Sequence, residues 1–170
     1  MKKLILISLL FSLQLFGLQL GETPPLVNLE GKDGGKTDGS AWNSTKLKDR
    51  VFVLFYVDPD ERSTNEEFSQ ALQDKKFDKQ KYGSVAIVNM AATWMPDFAI
   101  ESKLKAKQEK YPNALYVKDK RKTLVKKWGL ADDASNIVVF GKDGKVLYFK
   151  KGKLAKDEIL KVLQLIEDNF

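Results

Sequence analysis

Apolar and polar positions along this chain fall into runs that predict an alternation of strands and helices. "VFVLFYV" (Val51 to Val57) is continuously apolar and of strand length, which predicts a strand covered on both faces. The segment after it, "STNEEFSQALQDKK", places Phe68, Ala71 and Leu72 at helical spacing. Ser63 followed by Glu66 predicts a capping box, and Lys75 with Lys76 suits the end of that helix. "SVAIVNM" predicts a second buried strand, "AATWMPDF" a loop, and "AIESKLKAKQEKY" a Lys-rich helix stopped at Pro112. "NALYV" predicts a short strand, and "KTLVKKWGL" a short helix ended by Gly129. "SNIVVFGKDGKVLYFKKG" predicts two strands joined at "KDG". "AKDEILKVLQLIEDNF" predicts a closing helix with Ile159, Leu163, Ile166 and Phe170 on one face, Leu160 and Val162 beside them. Ahead of all this, "GETPPLVNLEGKDGGKTDGSAW" predicts two short strand-like pieces around a "GKDGG" turn. The sum is an α/β fold: a central mixed sheet, helices on both faces and an N-terminal β extension.

The beginning of the chain follows a different pattern. Lys2 and Lys3 precede an apolar run from Leu4 to Leu20, which predicts a secretory signal peptide. Gly17 is the expected cleavage residue, with positions 17 to 21 bracketing the cut. Residues 1–17 are then a leader and 18–170 a single domain. The rival expectation is an uncleaved anchor, but Ser8, Ser12, Gln14 and Gln19 interrupt the run and no basic stop-transfer cluster follows. Export to the periplasm is the expectation.

Composition removes whole classes of chemistry. The chain has no cysteine, so disulfides, thiolate nucleophiles and thiolate metal sites are excluded. It has no histidine, so neither a Ser-His-Asp nor a Cys-His arrangement can be assembled. Loss of Lys2 and Lys3 leaves 27 basic against 23 acidic residues, and 27 − 23 = +4 is too mild to imply a nucleic-acid footprint.

The order of elements resembles the thioredoxin fold. "GETPPLVNLEGKDG", "LKDRVFVLFYV", "KKWGLADDASNIVVFGKDGKV" and the last helix are similar to landmarks of its secreted thiol–disulfide branch. A closer resemblance is to the YtfJ family of periplasmic proteins. It is carried by "AWNSTKLKDRVFVL", the region of Arg62 and Asn65, "VAIVN", "EKYPNALYVKD", "KKWGL" and "NIVVFGKDGKV". The resemblance implies a thioredoxin-like fold and a periplasmic location, and it brings no enzymatic activity. The chain departs from the redox branch at two places. Asp60-Glu61-Arg62-Ser63 occupies the slots of the Cys-x-x-Cys pair, and Ser135 stands where redox members carry a proline that is usually cis.

Three loops are expected at the carboxyl end of the sheet, where ligands of α/β folds collect. The first, "DPDERS", offers Asp58, Asp60, Arg62 and Ser63 as a polar lip or simply a capped helix start; its acids lack calcium-loop spacing. The second, "NMAATWMPDF", offers Asn89, Trp94 and Met95, either as a sticky patch or folded onto the core. The third, "DDAS", supplies Asp133 and Ser135. Together they define a candidate binding groove with Trp94 as anchor and Arg62 as polar clamp. The expected partner is a periplasmic protein or peptide. No catalytic residue, cofactor or metal is assigned, and no nucleic acid is expected.

Two alternatives stand beside this. One is a non-thiol enzyme that pairs Ser63 or Ser135 with a desolvated lysine, or that uses a raised carboxylate. The other is attraction to an anionic surface through the tract from Lys103 to Lys127, in which Arg121 is the single arginine.

Overall fold

The computed structural model describes residues 17–170, so the predicted leader, Gly17 apart, lies outside the described residues. In chain order the elements are β1 (Asn28–Leu29), β2 (Gly34–Lys36), β3 (Trp42–Asn43), β4 (Val51–Val57), α1 (Glu66–Lys75), β5 (Tyr82–Asn89), α2 (Asp97–Lys110), β6 (Ala114–Asp119), α3 (Thr123–Trp128), β7 (Ser135–Phe140), β8 (Val146–Lys151) and α4 (Lys156–Asp168). β1 and β3 form a small antiparallel ribbon, and the other six strands form one sheet in the order β2-β6-β5-β4-β7-β8. β4, β5 and β6 run parallel, while β7, β8 and β2 join antiparallel. β4 is central, with Leu54 opposite Val85 on one side and Val138 on the other. That position explains its unbroken apolar run: both faces must be covered.

The pleat of β4 divides its side chains between two cores. Phe52, Leu54 and Tyr56 face a core completed by Leu124 and Trp128 of α3 and by Val27, Leu29 and Trp42 of the extension. Val51 and Val53 face the second core, built with Phe68 and Leu72 of α1 and Ile159, Val162, Leu163 and Ile166 of α4. α2 adds Ile100 and Leu104, packed with Met90, Val88 and Tyr116. Burial of these side chains supplies the main driving force, at roughly 25 cal/mol per Å² of apolar surface removed from water.

Four local expectations are corrected by the structure. The "GKDGG" segment is more than a turn, because Gly34 and Gly35 belong to β2 and pair with Asp119 and Lys118. Gly34 has φ +135°, and a Cβ there would fall 1.9 Å from the Lys118 carbonyl oxygen, so only glycine lets this edge approach β6. The capping box at Ser63 does not form. α1 begins at Glu66, and Ser63 contributes only its carbonyl, which accepts the Glu66 N–H at 3.1 Å. α2 starts two residues earlier than the pattern suggests, so Phe98 is helical. Leu160 of α4 is exposed rather than tucked beside the apolar stripe.

Candidate functional site

The parallel strands β4, β5 and β6 end together, and loops after each of them gather with the start of β7. Among the described residues the buried polar and charged side chains are Asp58, Asn65, Asn89, Asp119, Ser135 and Asn136, and all six lie at this end of the sheet. Buried polar groups must find partners or cost stability, so such a concentration has to be internally bonded.

Asp58 follows β4 directly. Its carboxylate accepts the Asp60 N–H at 2.9 Å, and its own N–H reaches the Ala134 carbonyl at 3.0 Å. Burial pushes the Asp58 carboxyl up, with Asp60, Asp133 and Glu61 adding like charge. Asn89 ends β5. Its amide nitrogen donates to the Asp132 carboxylate at 2.8 Å, and Lys122 donates to the other oxygen of that carboxylate at 2.6 Å. Burial opposes ionisation of Asp132, but the hydrogen bonds from Lys122 and Asn89 outweigh it and hold the carboxyl below its usual range. Ser135 starts β7 through an ordinary trans peptide, and its hydroxyl accepts Nδ2 of Asn65 at 2.9 Å.

Sequence reasoning placed Asn65 in a matching region and gave it no role, although it is the hub of one side of this network. Nδ2 also reaches the Gly152 carbonyl at 3.1 Å, and Oδ1 accepts the Leu154 N–H at 2.9 Å. One amide therefore ties the start of α1 to β7 and to the connection between β8 and α4. Asn65, the residue before α1, accordingly makes no side-chain cap of its own, because its amide is spent on these tertiary bonds.

Asp119 is the second residue missed. Its carboxylate accepts the Tyr56 hydroxyl at 3.1 Å and the backbone N–H groups of Arg121 at 3.1 Å and Leu124 at 3.0 Å. Burial, then the Asp119 charge, drives the Tyr56 hydroxyl well above its usual range, so it stays a neutral donor. Asn136 closes the set, donating to the Tyr56 and Ala131 carbonyls and accepting the Ala131 N–H.

The nine predicted groove residues thus separate into two tiers. Asp58, Asn89 and Ser135 form a buried floor, whereas Asp60, Arg62, Ser63, Trp94 and Asp133 are exposed and Met95 is half-buried. Trp94 is 93% exposed and Phe98 is 75% exposed, while Met95 packs toward α2. Arg62 forms no ion pair among the described residues, and its guanidinium donates to the Pro59 carbonyl at 3.2 Å. Ser63 is exposed and Ser135 is engaged by Asn65; no lysine among the described residues hydrogen-bonds either hydroxyl. Two cavities, of about 210 and 340 Å³, lie away from the groove, the first beside Leu18 and Trp128 and the second beside Glu67 and Leu154.

The Lys-rich tract is also divided. Lys118 and Lys120 pair with Glu101, Lys120 also with Asp97, and Lys122 with Asp132. Lys103, Lys105, Lys107 and Lys110 on α2 are exposed, and none forms an ion pair among the described residues.

A six-stranded mixed sheet with this connectivity, a helix launched from the end of its central strand and no cysteine at that junction define a thioredoxin-like protein without thiols. Solved structures agree on the fold. The exposed lipoprotein thioredoxin Etrx1 of Streptococcus pneumoniae is similar with a TM-score of 0.58 at 16% identity, over 82% of this chain and 98% of that one. A peroxiredoxin-like protein from Aquifex aeolicus gives 0.58 at 19% identity, over 88% and 89%. The chain belongs to the YtfJ family, described as bacterial proteins of unknown function, whose pattern matches residues 28–169. An uncharacterized protein of Haemophilus influenzae is 31% identical over 88% of this chain and 85% of its own length. The uncharacterized protein YtfJ of Escherichia coli is 27% identical over 74% and 70%.

Proposed function

We propose that this chain is an exported, thiol-free binding or accessory protein that engages a periplasmic protein or peptide at the carboxyl end of its sheet. The observation that carries the reading is Trp94. An indole is costly to leave in water, yet this one is 93% exposed, with Phe98 four residues on and 75% exposed. The floor beneath is mostly engaged in internal hydrogen bonds, Asn89 Oδ1 being its one buried side-chain oxygen without a partner among the described residues, so contact falls to the exposed rim of Asp60, Arg62, Ser63, Trp94 and Asp133. Asp60 to Ser63 fill the slots that resemble the Cys-x-x-Cys position, so this end of the sheet meets a partner through an aromatic anchor and polar neighbours instead of thiols.

The test is a photoreactive residue at position 94 in intact cells, compared with one at position 160. Leu160 is an exposed apolar residue, 69% exposed, on α4. A discrete adduct at 94 and none at 160 supports the reading. Equal or absent capture at both positions removes the rim as the binding surface.

A second reading is favoured by one specific observation, the four unpaired lysines of α2. With Trp94 and Phe98 at the start of that helix, they fit an anionic surface. Co-sedimentation with phosphatidylglycerol vesicles separates the two readings: salt-sensitive binding supports the second, and no binding leaves the first.

A further inference from the structure

We propose that the partner met at the rim presents a cationic polypeptide segment, whose arginine or lysine side chains enter between the acidic loops while its apolar atoms cover Trp94. The inference rests on the binding reading above and deepens it, because it assigns the charge of the occupant.

Charge is the first observation. The chain as a whole is basic, at +6. Its groove end is the reverse. The loops after β4 and before β7 carry Asp58, Asp60, Glu61, Asp132 and Asp133 against one cation of their own, Arg62. Arg62 is turned to the Pro59 carbonyl, and Lys122, reaching in from the start of α3, is committed to Asp132 at 2.6 Å. Asp60, Glu61 and Asp133 form no ion pair among the described residues, and all three crowd the Asp58 carboxyl with like charge. An incoming cation relieves that repulsion.

Asn89 supplies the second observation. Val57 and Val88 are the last register pair of β4 and β5, so the next residues, Asp58 and Asn89, lie side by side on the face that carries Tyr56 and Ile87. Nδ2 of Asn89 is used by Asp132, but Oδ1 is buried and accepts nothing from the described residues. Reversing the amide would set its oxygen against the Asp132 carboxylate, so the orientation is fixed by chemistry. What the inner end of the acidic cluster lacks is a hydrogen-bond donor. An ammonium or guanidinium supplies one, directly or through a single water.

The third observation is the exposed indole of Trp94, with Phe98 four residues on. Tryptophan is the side chain over which a cation is held best, and arginine stacks on it while keeping its N–H groups free for carboxylates. Acids and a bare indole on one rim suit a basic segment and disfavour an acidic one.

The test titrates the purified protein with three capped peptides at millimolar concentration: Gly-Arg-Leu-Arg-Gly and its counterparts with glutamine or glutamate in place of arginine. Acrylamide quenching of the exposed tryptophan is followed. The arginine peptide is expected to protect Trp94 saturably, about tenfold more tightly than the glutamine peptide, and to weaken with salt; the glutamate peptide is expected to give no protection. Asp133→Asn and Glu61→Gln alter exposed side chains, and each is expected to weaken the arginine peptide about two- to fivefold. Lys122→Asn, a residue tolerated at the φ of +54° there, removes the competing ammonium and is expected to tighten it by a similar factor. Equal protection by the arginine and glutamine peptides overturns the cation preference and leaves the rim reading standing. The same holds if no peptide protects Trp94 while a photoreactive residue at 94 still captures a discrete partner. Absence of both protection and capture removes both readings. Arginine-peptide binding unchanged in Asp133→Asn and Glu61→Gln alike, or protection by phosphatidylglycerol vesicles instead of the arginine peptide, also overturns the proposal.

Discussion

The floor and the rim of the candidate groove differ in what their polar atoms are doing. In the floor, Asp58, Asn65, Asn89, Asp119, Ser135 and Asn136 are buried, and each makes at least one hydrogen bond within the fold. In the rim, Arg62 reaches only the nearby Pro59 carbonyl, and Trp94 projects into solvent. The contrast teaches that residues grouped by position at one end of a sheet can hold two separate jobs. Floor residues fix where the loops sit; rim residues are free to meet something else. Substitutions therefore ought to separate cleanly into those that cost stability and those that cost contact.

The largest effect is expected at Asp119. Replacement by alanine leaves the Tyr56 hydroxyl and the Arg121 and Leu124 N–H groups without their acceptor. At about 1–3 kcal/mol per stranded buried group, with partial relaxation, urea unfolding should show a loss of about 3–5 kcal/mol. A loss below about 1 kcal/mol would mean that the floor is not the structural unit described. Asn65→Ala comes next, at about 2–3 kcal/mol, since it strands the Leu154 N–H and releases Ser135 and the Gly152 carbonyl.

Asp58 sharpens the comparison through pH. Burial raises its carboxyl in the folded protein above its unfolded value of 3.8. The folded state then binds the proton more tightly, so this group's contribution to stability falls as pH rises from the unfolded value through the folded one. Asp58→Asn keeps an acceptor for the Asp60 N–H and removes the titration. Its stability relative to the parent should climb across that acidic window and stay level above it, as read from urea midpoints at several pH values. A difference independent of pH would contradict the burial argument. The smallest effect is expected in the rim: Trp94→Ala and Arg62→Ala should each shift stability by no more than about 0.5 kcal/mol, while reducing capture by a crosslinker at a neighbouring rim position such as Asp60.

How much of this could be read from the residues depended on the range of the interactions. β4, β5 and β7 were plain, because a strand covered on both faces needs an apolar run, and "VFVLFYV", "VAIV" and "IVVF" supply one each. The amphipathic α4 was equally plain from its spacing, although Leu160 showed that an apolar residue beside the stripe need not be buried. Exposure of Trp94 was not legible in its loop, which fits a sticky patch and a segment folded onto the core alike; the structure leaves the indole 93% exposed. The hydrogen-bonded floor was not legible. Asn65 finds its partners 70, 87 and 89 residues away, and Tyr56 finds Asp119 across 63 residues. No local pattern records such pairings, and the one local pattern at this junction, the capping box of Ser63 and Glu66, does not form.

The central claim is an exposed aromatic corner standing on a rigid, internally bonded floor, and fluorescence quenching tests it most directly. Trp42 and Trp128 are each 1% exposed, so Trp94 is the one tryptophan that a polar quencher such as acrylamide can reach in the folded chain. The parent protein should show one readily quenched component and one protected component, and Trp94→Phe should abolish the first and leave the second unchanged. Quenching that persists undiminished in Trp94→Phe would contradict it.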